Sequence, residues 1–399
     1  MLDRRRVLQL ACASALAAGA PRLSLARADT DARLVLVILR GAMDGLAFAP
    51  PYGEPAYAGL RGELALPGPS DSDGALKLDG LFGLHPSLAG LAELYRDGEL
   101  ILAHAVASPY RRRSHFDAQD ILENGVSVAG QRRDGWLNRA VGPLNAHLDG
   151  DAAIALAMNA PLVLRGEHSV STWAPSKFPE AGDDTLRRIE QLYVNDAFFR
   201  TRLERALESQ QLASELDPMD SRRRRGNDGA LFMASMRQAA HFLSADSGPR
   251  IAVVESGGWD THANQGAVDG LLARKFSALD EGVLQLRRGL GGAWKRTVCM
   301  IVTEFGRTVK VNGTRGTDHG TGTVTVLAGG AVAGGRIIAD WPGLAARNLF
   351  EGRDLYPSTD IRSLFKGVLA EHLDLPETLL EREVFPDSSR ATLMAGLIA

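Results

Sequence analysis

Cysteine is almost absent from this 399-residue sequence, which contains only Cys12 and Cys299. Cys12 lies within the first 28 residues, which we predict to be removed from the mature protein. A chain that keeps Cys299 alone forms no internal disulfide, so its stability depends on a packed core. The 371 remaining residues have an ordinary apolar content. They are enough for a large core, as one domain or as one domain with an insertion.

The sequence also lacks an apolar run long enough to cross a bilayer. The uncharged stretch 7–20 has 14 residues, whereas a membrane helix needs roughly 20. Arginines at 4–6 precede this stretch, and the small residues Ala26 and Ala28 follow it. This order predicts a twin-arginine export signal cleaved after Ala28, and hence a periplasmic or secreted protein. A frayed helix or an uncleaved anchor is the alternative, and the residues before Cys12 make a poor lipidation signal.

A strong excess of positive charge is absent as well. Loss of residues 1–28, with five arginines and one aspartate, takes the formal net charge from −3 to −7. In the rest of the sequence the long basic run is 222–225, four arginines among Asp, Ser and Gly, which is typical of a solvated loop. The sequence therefore argues against nucleic-acid binding. We also expect no transmembrane segment in the mature chain.

What the sequence does contain is an alternation of short β-rich apolar runs with segments of helical period. This pattern predicts an α/β fold with a mostly parallel sheet between helical layers. The predicted strands are 33–39, 99–106, 153–157, 250–254, 297–303 and 323–327. The first and fifth contain continuous apolar runs, 34–39 and 298–302, as expected of central strands covered on both faces. Residues 51–79 predict a long loop, and residues 183–245 predict an internal helical insertion in a domain that spans 29–399.

Carboxylates, histidines and other polar groups collect next to the predicted strands. Because ligands of open α/β sheets bind beyond the carboxyl ends of the strands, we expect these side chains to converge at one edge of the sheet. They are, in chain order, Asp44, Ser114, His115, Asp260, His262, Glu304, Arg307, Asp318 and His319.

This mixture of oxygen and imidazole ligands suits Zn²⁺, Mn²⁺ or Fe²⁺. Two such ions about 3.5–4 Å apart would clamp the attacking and leaving oxygens of an in-line displacement. Ser114, at a predicted helix start where free N–H groups favour an anion, is the candidate nucleophile. Arg307 is the candidate to hold a phosphate or sulfate oxygen.

The motifs together resemble a known family. The segments that carry the resemblance are 40–45 (RGAMDG), 113–120 (RSHFDAQD), 258–262 (GWDTH), 303–307 (TEFGR) and 317–320 (TDHG). With the predicted signal, they are similar in content and order to the domain of unknown function 1501 family, exported bacterial proteins within the alkaline phosphatase and sulfatase-like superfamily. The resemblance spans almost the whole mature chain and implies an alkaline-phosphatase-like fold with Ser114 as nucleophile.

The resemblance also implies a division of the metal ligands. Asp44 resembles the first metal ligand, after the first strand. Asp260, His262 and His319 resemble the ligands of one metal, whereas Glu304 stands where the superfamily has an aspartate for the second metal. One or two divalent ions are therefore implied, with Zn²⁺ favoured over Mn²⁺ or Fe²⁺. The single residue between Asp260 and His262 departs from the pattern, because relatives often have three.

Two further departures affect the implied activity. Phe305 follows Glu304 where the superfamily has a histidine, so the second metal lacks its expected imidazole. His115 or Asp318 would have to substitute; otherwise the second site is weak, single-metal or absent. Ala107 stands where a sulfatase signature has Cys or Ser, which argues against a formylglycine sulfatase.

Each candidate also has a structural alternative. Asp44 and Ser114 are residue types that commonly cap helices or stabilise turns. Arg307 can pair with a structural carboxylate, and Asp318 can orient a ligand without binding the metal itself. His115 can be a core histidine.

The sequence thus predicts a metal-dependent hydrolase of phosphate or sulfate esters that acts on an exported or extracellular anionic substrate. The attack would come from Ser114 or from a hydroxide activated by the metal. The alternative is a catalytically reduced fold that binds another exported protein or a surface polysaccharide. A phosphosugar mutase is a weaker hypothesis, because export removes it from that metabolite pool. The remaining histidines are interpreted as structural: His85, His104, His147, His168, His241 and His372.

Overall fold

A computed structural model describes residues 31–145, 151–174 and 228–399. The strands are β1 (Arg33–Leu39), β2 (Leu76–Lys77), β3 (Gly83–Leu84), β4 (Leu100–Ala107), β5 (Ala153–Ala155), β6 (Ser171–Thr172), β7 (Ile251–Ser256), β8 (Thr297–Thr303), β9 (Thr323–Ala328), β10 (Arg336–Ile338) and β11 (Thr359–Asp360). The helices are α1 (Gly45–Phe48), α2 (Tyr57–Arg61), α3 (Ala89–Arg96), α4 (His115–Asn124), α5 (Trp136–Asn145), α6 (Asp228–Ser244), α7 (Leu271–Leu290), α8 (Ile361–Leu373) and α9 (Glu377–Leu379).

Within the described residues nine strands form one sheet, in the order β10-β4-β9-β8-β1-β7-β5-β6, with β11 also paired to β4. Only β9 is antiparallel to its neighbours, β4 and β8, in this sheet. All the other pairings in it are parallel. The six strands predicted from the sequence all occur, with ends within two residues of the predicted ones. The predicted fold class, a mostly parallel sheet between helical layers, is confirmed.

Strand β1 shows why helices cover both faces of the sheet. Successive side chains of a strand point to opposite faces, and in β1 both sets are apolar. Leu34, Leu36 and Ile38 pack in one buried cluster with residues of α5 and α8. The residues between them pack in a second cluster with α3, α6 and α7. Burying one such side chain stabilises the fold by about 1.5–3 kcal/mol, so β1 is fixed from both sides.

The strand directions determine where the connecting loops meet. Because β1, β4, β7 and β8 run in the same direction, their carboxyl ends lie at one edge of the sheet. Strand β9 runs the other way, so the residues before it start from the same edge. The loops after four strands and the loop before a fifth are thereby brought together.

Several predictions concern residues that the structure does not describe. The predicted signal, residues 1–28, lies outside the described residues, and so does much of the predicted insertion 183–245. The described end of that insertion is α6, whose side chains pack with those of α7 in one of the two main clusters. The predicted loop 51–79 contains α2 and β2. No helix in the described parts of the chain is long and apolar enough to span a membrane.

Candidate functional site

Four predicted ligands meet at the loop edge of the sheet. His115 is the first residue of α4, the helix that follows β4. Asp260 and His262 follow β7, and His319 precedes β9. We call His115, Asp260, His262 and His319 the histidine–aspartate centre.

The side chains of the centre approach one another through atoms that bind metals. The Nε2 atom of His319 lies 3.0 Å from Nε2 of His115 and 2.9 Å from Nε2 of His262. The Asp260 Oδ1 atom is 3.0 Å from His262 Nε2 and 3.3 Å from His319 Nε2. One ligand atom each from His115, Asp260 and His319 lies within 4.8 Å of the other two. His262 is not part of this group of three, but its Nε2 contacts two of the members, Asp260 and His319.

The other ring nitrogen of each histidine contacts a hydrogen-bond acceptor. His115 Nδ1 is 2.8 Å from Glu304 Oε1, and His262 Nδ1 is 3.2 Å from Asp318 Oδ1. His319 Nδ1 is 3.0 Å from the carbonyl oxygen of Arg113. A carbonyl or carboxylate oxygen accepts a proton from the ring, so these partners assign the proton of each neutral imidazole to Nδ1.

This assignment leaves the Nε2 lone pair of His319 facing the Nε2 lone pairs of His115 and His262. The Nε2 atom of His319 faces His115, His262 and Asp260 Oδ1, which is itself an acceptor. A single proton would satisfy one of these contacts only. A divalent cation would satisfy all of them, and metal-bound histidines generally donate their second ring N–H to a carboxylate or carbonyl in this manner.

Arg307 is buried beside the centre and holds Asp260. Its Nη1 donates to Asp260 Oδ1, while its Nε donates to Thr317 Oγ1 at 3.1 Å. Burial raises the pKa of Asp260, but the hydrogen bond and charge of Arg307 outweigh burial and hold that pKa below its ordinary value. In this arrangement the Arg307 guanidinium keeps a candidate ligand ionised and oriented. Its predicted contact with a substrate oxygen stays a prediction.

Glu304 lies behind His115 and is buried. Its Oε1 accepts hydrogen bonds from the backbone N–H of Gly41 at 2.8 Å and from the Gln119 amide at 3.0 Å, in addition to His115. Burial raises the pKa of Glu304, yet these hydrogen bonds hold it below its ordinary value. The hydrogen bond to Glu304 also raises the pKa of His115. Glu304 therefore orients a candidate ligand.

Two unusual backbone conformations support this packing. Gly41 has φ +118°, and a Cβ at this position would stand 2.6 Å from the backbone nitrogen of Asp260. Arg113, whose carbonyl accepts from His319, has φ +63°, which is rare for a side chain of its size. The Arg113 side chain is held by Asp354 at 2.7 Å and by Glu351 at 2.6 Å. The loops at the centre are thus kept in a strained, specific shape.

Phe305 forms an apolar support for two of the imidazoles. Its ring centroid is 4.9 Å from that of His115 and 5.2 Å from that of His319. Phe305 is buried together with Ala42 and Ala118. Phe305, the residue after Glu304, therefore packs beneath the centre. Burial lowers the pKa of His319.

Asp44 lies apart from the centre and is engaged elsewhere. Its Oδ1 caps α1 by accepting from the backbone N–H of Leu46 and Ala47. Its Oδ2 accepts from Arg61 at 2.5 Å and from Gln265 at 2.8 Å. Asp44 and Arg61 are both buried. Asp44, a predicted metal ligand, is paired with a guanidinium in this structure.

Ser114 and Asp318 lie next to members of the centre. Ser114 occupies the N-cap position of α4, directly before His115, and its side chain makes no capping hydrogen bond. Asp318 precedes His319 and contacts His262. Hydrogen bonding from Asn312 lowers the pKa of Asp318. The four side chains of the centre are between 24% and 43% exposed, so solvent and a substrate can reach them.

Sequence reasoning missed several supporting groups. Gln119 lies one helical turn after His115, and this i,i+4 spacing is a signal that was available. The Arg113 carbonyl and the Gln265 amide carry no pattern of their own, although both are close in sequence to predicted ligands. Arg61 lies 17 residues from Asp44 within the predicted loop 51–79, and nothing in the sequence connects the two.

Comparison of the sequence with models of known protein families identifies its family. A family model described as Protein of unknown function (DUF1501) matches residues 100–383. The chain belongs to this family. The matched range contains all four residues of the centre, and membership of DUF1501, expected from the motifs, is confirmed. The twin-arginine signal lies outside the described residues and stays a prediction.

This DUF1501 protein has no match among curated proteins. It is similar at low identity to several solved structures. One is the C-terminal periplasmic domain of EcEptC from Escherichia coli in complex with Zn, with 10% identity, a TM-score of 0.36, and coverage of 76% of this chain and 74% of that chain. A second is the phosphonate monoester hydrolase of Agrobacterium radiobacter, with 12% identity, a TM-score of 0.39, and coverage of 86% and 74%. A third is the lipoteichoic acid synthase LtaP from Listeria monocytogenes, with 11% identity, a TM-score of 0.35, and coverage of 80% and 69%.

Proposed function

We propose that this DUF1501 protein is a metal-dependent hydrolase of phosphate or sulfate esters that works outside the cytoplasm. The observation that carries the proposal is the convergence of three imidazole Nε2 atoms on Asp260, each imidazole being held from behind by an acceptor. The export part of the proposal depends on the predicted signal in residues 1–28.

The residues of the centre fit a divalent metal ion. Four ligands arranged tetrahedrally about Zn²⁺, at about 2.0–2.1 Å, are roughly 3.3 Å from one another. The contacts of His319 Nε2 within the centre range from 2.9 to 3.3 Å. Three imidazoles and one carboxylate are suitable ligands for Zn²⁺, with Mn²⁺ and Fe²⁺ as alternatives. We propose His115, Asp260, His262 and His319 as the ligands of one ion.

A bound divalent ion would supply Lewis-acid stabilisation of negative charge on an ester oxygen. The protein's own groups would prepare the site for this chemistry. Arg307 keeps Asp260 ionised, and Glu304 fixes the ring of His115. The first turn of α4 begins at His115, and its free backbone N–H groups favour an anionic substrate near the centre. The partial exposure of the centre provides access.

Ser114 is the proposed nucleophile. Its hydroxyl is next in sequence to His115 and is not used to cap α4. Attack by the Ser114 oxygen would form a covalent ester with the enzyme and release the alcohol, and water would then complete hydrolysis. Direct attack by water is the alternative. Replacement of Ser114 by alanine separates the two, because only the covalent route requires the hydroxyl.

The test is to measure the metal content of purified mature protein together with turnover of an aryl phosphate and an aryl sulfate. We expect about one ion per chain and turnover of at least one ester. Asp260→Ala and His262→Ala should fold, lose the metal and lose turnover. The enzyme proposal is overturned if the wild-type protein holds no metal and turns over neither ester, and both variants behave like the wild type.

A second candidate function is binding without catalysis. The pairing of Asp44 with Arg61 favours it, since a carboxylate that resembles a metal ligand of the superfamily is here neutralised by a buried guanidinium. The hydrogen bond between Glu304 and His115 also favours binding without catalysis. Such a protein would use the fold to bind another exported protein or a surface polysaccharide. A metal-loaded protein that turns over neither aryl ester would favour this function.

A further inference from the structure

Gln265 is a fully buried amide between the loops that carry the centre. Its Oε1 accepts hydrogen bonds from Thr261 Oγ1 at 2.7 Å and from Thr317 Oγ1 at 2.8 Å. Its Nε2 donates to Asp44 Oδ2 at 2.8 Å. A single side chain thereby connects the loop after β7, the loop before β9 and Asp44 in the loop after β1.

Both threonines are close to ligands of the centre. Thr261 stands between Asp260 and His262 in the sequence and is buried. Thr317 accepts a hydrogen bond from Arg307 Nε at 3.1 Å, and Arg307 in turn donates to Asp260. The Arg307 guanidinium also donates to the Thr317 carbonyl. The contacts of Gln265 therefore reach Asp260 by two routes, one through the chain at Thr261 and one through the side chain of Arg307.

The opposite end of this network is fixed by a buried ion pair. Asp44, which accepts from Gln265, also accepts from Arg61 and caps α1. The Arg61 guanidinium lies 3.3 Å from the carbonyl oxygen of Thr308 and 3.5 Å from that of Val309. Asp44 cannot move without leaving a buried charge unpaired, which is costly. It therefore gives Gln265 a rigid attachment.

We propose that Gln265 is a positioning residue that holds Asp260 and the loop of His319 in the geometry a metal ion requires. This inference rests on the proposed function, because it takes the histidine–aspartate centre to be a metal site. An amide suits the position, since it offers an acceptor to two hydroxyls and a donor to a carboxylate. An apolar residue would remove one hydrogen bond from each of the three buried partners, and the two loops would lose their common attachment.

The test is the Zn²⁺ affinity of Gln265→Leu, measured by competition with a chromogenic chelator, together with its thermal midpoint. Asn138→Leu is the matched control, because Asn138 is a buried amide on α5 with three hydrogen bonds to backbone groups that do not belong to the centre. We expect both variants to be destabilised. Only Gln265→Leu should bind Zn²⁺ more weakly, by about tenfold or more, and its Co²⁺-substituted form should show a shifted visible spectrum.

A milder pair of variants covers the case in which Gln265→Leu does not fold. Thr317→Val removes one hydroxyl with little change in shape and should weaken Zn²⁺ binding severalfold. Thr325→Val is its control, because Thr325 is buried in β9 and its hydroxyl has no hydrogen-bond partner within the described residues.

The outcomes distinguish this inference from the function on which it rests. Wild-type Zn²⁺ affinity in Gln265→Leu, or in Thr317→Val where the first does not fold, would overturn the positioning role and leave the metal site standing. A wild-type protein that binds no Zn²⁺, Mn²⁺ or Fe²⁺ would overturn the metal site and the positioning role together.

Discussion

Two groups of histidines in this molecule have the same chemistry and opposite surroundings. His85 and His104 are fully buried, and in each ring Nε2 contacts a backbone carbonyl while Nδ1 accepts from a backbone N–H. His372 likewise places Nε2 2.8 Å from a backbone carbonyl. In the histidine–aspartate centre the acceptors contact Nδ1 instead, and the Nε2 atoms face one another.

The difference teaches how to distinguish a structural histidine from a ligand. A ring whose donor and acceptor are both matched by the backbone needs nothing more, and it supports the loop it contacts. A ring whose donor is matched, but whose lone pair faces other lone pairs, needs a cation. Burial alone does not separate the groups, since it lowers the pKa of His319 in the centre and of His85 in the core.

The strongest test of this comparison replaces one histidine in each group. His319→Ala should lose the metal almost completely, because His319 Nε2 contacts every other member of the centre. His372→Gln should keep about one ion per chain, since an amide can replace its hydrogen bond to the Arg33 carbonyl. Metal analysis after dialysis measures both. If His319→Ala retained as much metal as His372→Gln, the distinction between the groups would fail.

The second test uses the pH dependence of stability and concerns His104, a histidine of the buried group. Burial lowers the pKa of His104 from 6.5 to about 4. The unfolded chain therefore takes up this proton first, so the contribution of His104 to stability is complete above pH 6.5 and is lost as the pH falls toward 4. The loss in the free energy of unfolding is about 3 kcal/mol.

Denaturant unfolding between pH 7 and pH 4.5 measures this loss. The wild-type protein should lose stability more steeply with falling pH than His104→Gln, whose amide does not titrate. The slope is the quantity to compare, because the substitution also changes packing against Phe82 and Trp341. Equal slopes in the two proteins would mean that His104 is not held neutral by burial.

The sequence predicts the sheet well and its edges poorly. Strands β1 and β8 have long apolar runs, which only a strand covered on both faces requires. Strands β6, β10 and β11 have two or three residues each, which is too short for any period to appear. Their positions depend on pairing with longer neighbours, and a local pattern does not contain that information.

The sequence likewise predicts one part of the candidate site well and another part poorly. The rule that loops converge at the carboxyl ends of parallel strands was enough to select the residues of the centre. It could not separate ligands from the groups that orient them. Glu304 and Asp318 contact histidine Nδ1 atoms, while His115 presents its Nε2 to the centre. The positions of a ligand and of a group that orients it differ by only a few ångströms, and the spacing of residues along the chain does not distinguish them.

The smallest expected effect concerns these orienting carboxylates. Glu304 is fully buried at its side chain, whereas Asp318 and its partner His262 are 52% and 43% exposed. Loss of an orienting partner typically costs 10–100-fold in metal affinity, and exposure to water weakens such contacts. We therefore expect Glu304→Gln to lower Zn²⁺ affinity by about 10–100-fold. Asp318→Asn should lower it by less than about tenfold.

The control for this pair is a buried carboxylate remote from the centre. Asp280 accepts hydrogen bonds from the backbone N–H groups of Gly90 and Leu91 at the start of α3, so Asp280→Asn should reduce stability and leave Zn²⁺ affinity unchanged. Chelator competition on the three variants gives the ranking. A larger loss for Asp318→Asn than for Glu304→Gln would show that His262, the most exposed histidine of the centre, depends on its partner more than the buried His115 does. Burial would then be the wrong guide to which orienting groups matter.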